Sequence, residues 1–416
     1  MSKKLRTRTL VKALLACCGA ALLAACSSSG PSGSGAATSD GASSTGQRAT
    51  GAPVVIGYVD SSNGAFKYPH LSEGAKAAVS WINNHGGLGG HAVDLKTCLD
   101  DGSPSGGIAC ANQLVSKHVL AVVSPQDSSI DSQMPIYKKA GIPVLGYFCT
   151  PGMSAASSTG AFDFCGPSLT TATAAFYAYI GTKNVVFVVP DLGPALATYA
   201  KSIQSIYGPY GITTSLSVIS SANPDVTAAV TAARAKHADT LLFALTENGC
   251  DSAIRTAKSL GWSGKIAIAV CSNFITDLGP SLASGVYLNT NEYPYQAAKS
   301  ASELDSTLAP EFVEYKAALE ADKVPNRDLD SYSTVQGFAT YMTVFDALKL
   351  STDLTSASIT ATFNAYSGRA FMGLQTDCVH RVGSACGTSM IGLQVQSDGS
   401  LKVIGKPFAA RVTTGK

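Results

Sequence analysis

Residues 54–99 read VVIGYVDSSNGAFKYPHLSEGAKAAVSWINNHGGLGGHAVDLKTCL. The apolar run 54–59 reads as a strand buried on both faces, because such a strand has no polar side with which to alternate. Residues 71–84 (LSEGAKAAVSWINN) read as a helix, stopped by Gly86-Gly87. Residues 91–98 read as a second strand. Strand, helix and strand in immediate succession describe one parallel crossover unit.

The same alternation continues outward. Strand-like runs fall at 119–124, 142–147, 184–190, 212–219, 240–244 and 265–271. Helical segments fall near 105–117, 129–139, 169–181, 194–208, 224–236 and 249–260. The first four strands and the next four form two separate windings, which predicts an α/β fold with two parallel sheets, each covered by helices. Beyond residue 300 helices dominate, near 302–322, 330–350 and 356–366. Residues 389–404 read as a hairpin, with Asp398-Gly399 supplying the turn between two apolar alternations.

The N-terminus has a different character. Lys3, Lys4, Arg6, Arg8 and Lys12 precede an apolar stretch, 13–23, that is shorter than the roughly 20 residues a bilayer span needs. A basic head, a short apolar core and small residues describe a secretion signal, here residues 1–25. Leu23-Ala24-Ala25-Cys26 resembles the lipobox of bacterial lipoproteins, which implies a lipid on Cys26 and a place on the outer face of the cell membrane. Residues 26–52 are mostly Ser, Gly, Ala and Thr and read as a lipid anchor followed by a flexible linker.

Five of the 30 basic residues leave with the signal, so the remainder carries 25 basic against 28 acidic side chains, a formal charge of −3. That balance, without a basic run, argues against nucleic acid as a partner. Of eleven cysteines, Cys17 and Cys18 lie in the signal and Cys26 takes the lipid. The other eight fall as neighbours: Cys98 and Cys110, Cys149 and Cys165, Cys250 and Cys271, Cys378 and Cys386. An even number in an exported chain points to disulfides. Sequence does not fix the connectivity, and neighbour pairing is the expectation because each pair closes a short loop. No C-x-x-C occurs and the six histidines are scattered, so no metal site is expected. The chain also lacks G-x-S-x-G, H-E-x-x-H and G-x-x-x-x-G-K, and GGLGG at 86–90 serves as a helix stop, so no enzyme and no cofactor are expected.

Four pieces in this order, INNHGGLGGHAVDL, the pair Asp100-Asp101, AVVSPQDSS and KKAGIPVL, resemble the opening of the bacterial leucine/isoleucine/valine-binding proteins. Those are the substrate-binding components of ATP-driven (ABC) importers, and the resemblance spans roughly 53–400. It implies the type I periplasmic binding protein fold: two Rossmann-like lobes joined by a three-strand hinge. Lobe I would comprise 53–166 plus 297–370, and lobe II 167–296 plus 371–416. A small-molecule ligand, an amino acid or another small polar or aromatic compound, would sit between the lobes and pass to ABC permease and ATPase partners. A surface sensor of the same fold, signalling to a partner protein, is the alternative.

The candidate ligand-binding residues follow from strand ends and from the family positions. They are Ser62 and Phe66 after the first strand, and Gln126, Asp127 and Ser128 before a helix that Asp127 or Ser128 could instead cap. Tyr147, Phe148 and Thr150 follow the fourth strand, where Thr150 matches the family's hydroxyl and the two rings stand in place of small residues. Asp191, Thr246, Glu247, Ser272 and Asn273 come from the second winding. The family's ammonium-binding acid is absent at Ser272-Asn273, and Asp127 falls where the family holds the ligand carboxylate. Both head-group anchors of an α-amino acid are therefore altered. A neutral, aromatic or hydroxylated ligand, or a cation answering Asp127, is expected as readily as leucine or valine.

Overall fold

The computed structural model describes residues 48–409 apart from 64–67, 149–159, 166, 192–194, 221–224, 246, 270, 272, 350, 352 and 382. The first sheet contains β1 (Gly51–Asp60), β2 (His91–Leu99), β3 (Ala121–Ser124), β4 (Val144–Gly146) and β5 (Ala161–Asp163) in the order β2-β1-β3-β4-β5. Every pairing is parallel. Helices α1 (Pro69–Asn84), α2 (Pro104–Ser116) and α3 (Ile130–Ala140) make the crossovers. Burial of Val54, Ile56, Tyr58 and Val59 explains the unbroken apolar run of β1, which has neighbours on both edges and helices on both faces.

The second sheet repeats the plan. Helix α4 (Pro167–Tyr179) leads into it, and between its strands β6 (Asn184–Pro190), β7 (Thr213–Ile219), β8 (Thr240–Phe243), β9 (Lys265–Ile268) and β10 (Tyr287–Thr290) lie α5 (Ala195–Tyr207), α6 (Thr227–Ala235), α7 (Glu247–Ser259), α8 (Phe274–Leu278) and α9 (Pro280–Ala283). The parallel order is β7-β6-β8-β9-β10. The chain then forms α10 (Ala298–Leu304), α11 (Ala309–Ala321), α12 (Asn326–Leu329), α13 (Tyr332–Leu348) and α14 (Ser356–Asn364). A small pair, β11 (Ser367–Arg369) with β12 (Gln375–Asp377), precedes β13 (Ser389–Val395), β14 (Leu401–Val403) and β15 (Phe408–Ala409). Strand β13 adds antiparallel to β10 and carries the expected hairpin to β14.

Two of the parallel strands escape the sequence pattern, as do the short β11, β12 and β15. β5 is three residues long and β10 alternates half-buried with buried positions, so neither shows a long apolar run. Each winding therefore has five parallel strands, and the run expected at 265–271 ends as a strand at Ile268.

The chain passes between the sheets three times: after β5, after β10 and before β13. It must, because α13 belongs with the first sheet although it follows the second. Tyr341 Oη on α13 donates to Val123 O of β3 at 2.8 Å. Helix α13 is buried almost from end to end, and the hydroxyls of its Thr340 and Thr343 donate back to Gln336 O and Ala339 O at 2.7 Å. Its backbone meets that of α1 at two glycines. A Cβ on Gly74 would lie 2.1 Å from Thr334 O, and one on Gly337 2.2 Å from Leu71 O.

Disulfides staple this frame at Cys98–Cys110, Cys250–Cys271 and Cys378–Cys386. Cys165 is also disulfide-bonded, and Cys149 lies outside the described residues.

The start of α3 is built from polar side chains. Asp127 Oδ1 accepts from the backbone N and the Oγ of Ser129, both at 2.9 Å, while Oδ2 accepts from Gln133 Nε2 at 2.7 Å. Ser129 Oγ also lies 2.7 Å from Asp100 Oδ2, and Tyr137 Oη donates to Gln133 Oε1 at 2.9 Å. Burial pushes the Asp127 carboxyl up to about 6, against its hydrogen bonds from Ser129 and Gln133 and with help from the charge of Asp100.

Gly74→Ala should force α1 and α13 apart and destabilise the chain by about 3 kcal/mol, the upper range for overpacking, read as a lower urea midpoint. Asp127→Ala removes three hydrogen bonds, leaves the Ser129 backbone N–H without its acceptor and should cost about 2 kcal/mol. It should also change the pH profile. With its folded pKa raised from 3.8, Asp127 contributes stability that is complete below about pH 4 and lost as pH rises through 6. Melting curves of Asp127→Ala between these values should lose that downward component.

Candidate functional site

In a doubly wound sheet the crevice for ligands opens at the carboxyl ends of the strands, where the strand order reverses. Here those points lie between β1 and β3 in the first sheet and between β6 and β8 in the second. The loops after β1 and β3 are tied together: Ser61 Oγ donates to Gln126 O at 3.1 Å, and Ser124 Oγ lies 3.2 Å from Val59 O and 3.3 Å from Gln126 O. This brings Ser62 and Gln126, both partly exposed, to one crevice with exposed Ser128 beside them. Ser62 is held by its backbone N–H, which donates to Asp60 Oδ1 at 3.0 Å.

Asp127 belongs to the same loop but is 0 % exposed. Both of its oxygens serve the start of α3. Asp127 thus closes an Asx turn onto Ser129, the N-cap residue, and holds Gln133 in the first turns of α3. Tyr147 and Phe148, at the end of β4, are 3 % and 1 % exposed and enter two different apolar clusters. Tyr147 packs edge-on against Phe164 with ring centroids 5.5 Å apart. Phe66, Thr150, Thr246 and Ser272 lie outside the described residues.

On the second sheet, Asp191 directly follows β6 and is exposed, with its backbone N–H donating to Ile219 O at 3.1 Å. Glu247 is the first residue of α7, immediately after β8 and its loop. Asn273 precedes α8 and reaches across: its Nδ2 lies 3.1 Å from Nε2 of His70 at the start of α1. His70 Nδ1 in turn meets Glu73 Oε2 at 2.9 Å. With the proton on Nδ1, Nε2 accepts from Asn273, and one side chain bridges the two lobes. His70, Glu73 and Asp328 present ligand atoms within 4.8 Å of one another, close enough to hold a metal ion. In that grouping His70 Nδ1 lies 2.9 Å from Glu73 Oε2 and 3.7 Å from Asp328 Oδ1.

A further polar group lies on the segment that crosses after β10, which sequence reasoning passed over. Glu292 is 1 % exposed and bridges Gly373. Its Oε2 accepts from Tyr332 Oη at 2.8 Å, and that hydroxyl also takes the backbone N–H of Asn291 at 3.3 Å. Burial pushes the Glu292 carboxyl up to about 7, opposed by the hydroxyls of Tyr147 and Tyr332. The available signal was an acid placed just beyond a strand end, in Asn289–Tyr293 (NTNEY), but the shortness of β10 hid that strand.

A sequence comparison with curated proteins finds no match. Solved structures do match in fold. Similar to this chain are LivJ of Streptococcus pneumoniae, a branched-chain amino acid transporter substrate-binding protein in complex with isoleucine (16% identity, 85% of this chain and 99% of that one, TM-score 0.67), and the leucine-binding protein LivK of Thermotoga maritima (16%, 85% and 98%, 0.66). An ABC transporter substrate-binding protein from Desulfitobacterium hafniense, complexed with Leu, matches at 18% identity over 85% of this chain and 100% of that one, with a TM-score of 0.64. The sequence profile of the periplasmic binding proteins matches residues 53–400. With two parallel α/β sheets, three crossings and that match, the chain belongs to the periplasmic binding protein family, in its type I two-lobed form.

Proposed function

We propose that the chain is a solute-binding component of an ABC importer, held at the outer face of the cell membrane by a lipid on Cys26. It captures a small molecule between its lobes and hands it to permease and ATPase partners. It carries out no chemistry of its own. Lobe I comprises 53–166 plus 297–370 and lobe II 167–296 plus 371–416, each closing over the ligand from its switch point. Ser62, Gln126 and Ser128 line one side, and Asp191, Glu247 and Asn273 the other.

The observation that carries this reading is the contact between His70 and Asn273, which joins one lobe to the other at the crevice. A hinged pair of lobes works as a binder only if ligand and lobe-to-lobe contacts together favour the closed form. The relatives seen with isoleucine and with Leu make amino acids the first class to test.

A thermal-shift screen across amino acids, amines, aromatic acids and polyols tests the reading. A solute at 100 times its dissociation constant should stabilise by about 2.7 kcal/mol, and silence across all classes would sink it. His70→Ala should weaken whichever solute binds by about fivefold, the worth of one ~1 kcal/mol hydrogen bond in the closed form. In intact cells, Cys26→Ala should shift the protein from the membrane fraction to the medium. Retention at the membrane would remove the lipid anchor from the proposal.

A further inference from the structure

Buried carboxylates in this chain fall into two kinds. Asp127 has both oxygens hydrogen-bonded by its own lobe. Glu292 does not. Tyr332 serves Oε2, while Oε1 is buried with no hydrogen bond of normal geometry, although the Tyr147 hydroxyl is near enough to act on the charge. Asn291 Oδ1, next along the chain, is likewise buried without a donor. So is Gln296 Oε1, whose own amide is committed to Asp330 O at 2.7 Å just ahead of α13. Buried polar atoms in native proteins are nearly all satisfied, and a run of exceptions within residues 291–296 calls for a partner.

The chemistry of the exceptions says which partner. Glu292 Oε1, Asn291 Oδ1 and Gln296 Oε1 are acceptors that call for hydrogens, while the Thr290 and Ser331 hydroxyls, also buried without a hydrogen-bond partner, can give or take one. One of the acceptors belongs to a carboxylate, whose burial is stabilised by a positive charge. Two phenol rings, Tyr147 from the end of β4 and Tyr332 from the start of α13, flank it and suit a cation. The position is functional as well. Glu292 stands on the crossing segment after β10, near Tyr147 at the carboxyl end of β4, on the same edge of the first sheet as the crevice between β1 and β3. Solute seated there touches the hinge.

We propose that Glu292 is the anchor of the cleft and binds a nitrogen cation of a small solute: an ammonium, amidinium or guanidinium group. The inference rests on the solute-binding reading and adds the ligand's charge to it. It also relocates the acid. The carboxylate that answers a ligand nitrogen stands on the hinge, in place of the side chain absent at Asn273 and of Asp127, which is spent on α3.

The test uses the mature protein, wild type and Glu292→Gln, with calorimetry against five probes: 3-methylbutylamine, putrescine and agmatine as cations, and 4-methylpentanoate and succinate as anions. The expected result is that at least one cation binds wild type, both anions fail, and Glu292→Gln weakens the cation tenfold or more. Tyr332→Phe, which keeps the carboxylate, should weaken it less. Binding of an anion but no cation would overturn this inference and leave the solute-binding reading standing. Equal cation affinity in wild type and Glu292→Gln would overturn it too. No binding by any probe would count against this inference, while the wider reading would await the broader solute screen. A second readout needs no ligand. Tyr147 and Tyr332 are the titratable groups that face Glu292, and burial pushes both phenols well above their ordinary value, so they stay neutral while the carboxyl titrates. With the carboxyl raised from 4.5 to about 7, stability should fall as pH rises between those values, and Glu292→Gln should flatten the fall. An unchanged profile would show that Glu292 is not the buried acid the anchor requires.

Discussion

The frame depends on a place where two helices have no room for side chains. At Gly74 and Gly337 the backbones of α1 and α13 come close enough that a single methyl would collide with a carbonyl oxygen. Helix α1 is laid down with the first sheet, and α13 only after the chain has built most of the second. Packing one on the other makes lobe I discontinuous in sequence, so the chain must leave it, return and leave again. The crossing segments are the result, and they supply the hinge on which a binding protein of this type turns. Position and function are linked here through packing.

What was legible in the sequence follows from this. Long buried strands such as β1 and β6 announce themselves, because burial on both faces demands an unbroken apolar run. Helices α1 and α13 do so through their length and composition. β5 and β10 are too short for any period to emerge, and both sit where the chain is about to cross. The hinge was therefore the part that pattern reading missed, and Glu292 was missed with it. The candidate residues at strand ends were recognisable by type and place, but not by orientation. Nothing in SPQDSS says that Asp127 turns inward to Ser129 and Gln133. Nothing in Tyr147-Phe148 says that both rings enter the core.

Asp127 and Glu292, two of the buried acids, illustrate how burial is tolerated in different ways. A carboxylate removed from water needs compensating hydrogen bonds or charge, and otherwise takes up a proton. Asp127 meets that need locally and stiffens the start of a helix. Glu292 meets it only in part, with Tyr332 on one oxygen. In the anchor we propose, an incoming solute makes that shortfall good, and a site left incomplete by the protein alone gains most when it is filled.

The staples have a consequence for how such a chain is made. Cys98–Cys110, Cys250–Cys271 and Cys378–Cys386 are separated by 12, 21 and 8 positions. Each joins cysteines that emerge one after the other when a chain is threaded through a membrane. Closing a short loop needs little search, so correct partners meet before wrong ones arrive. For a family that works outside the cytoplasm, this arrangement makes oxidation follow the order of export. The long-range step, docking α13 onto α1, then falls to a chain whose local loops are already closed.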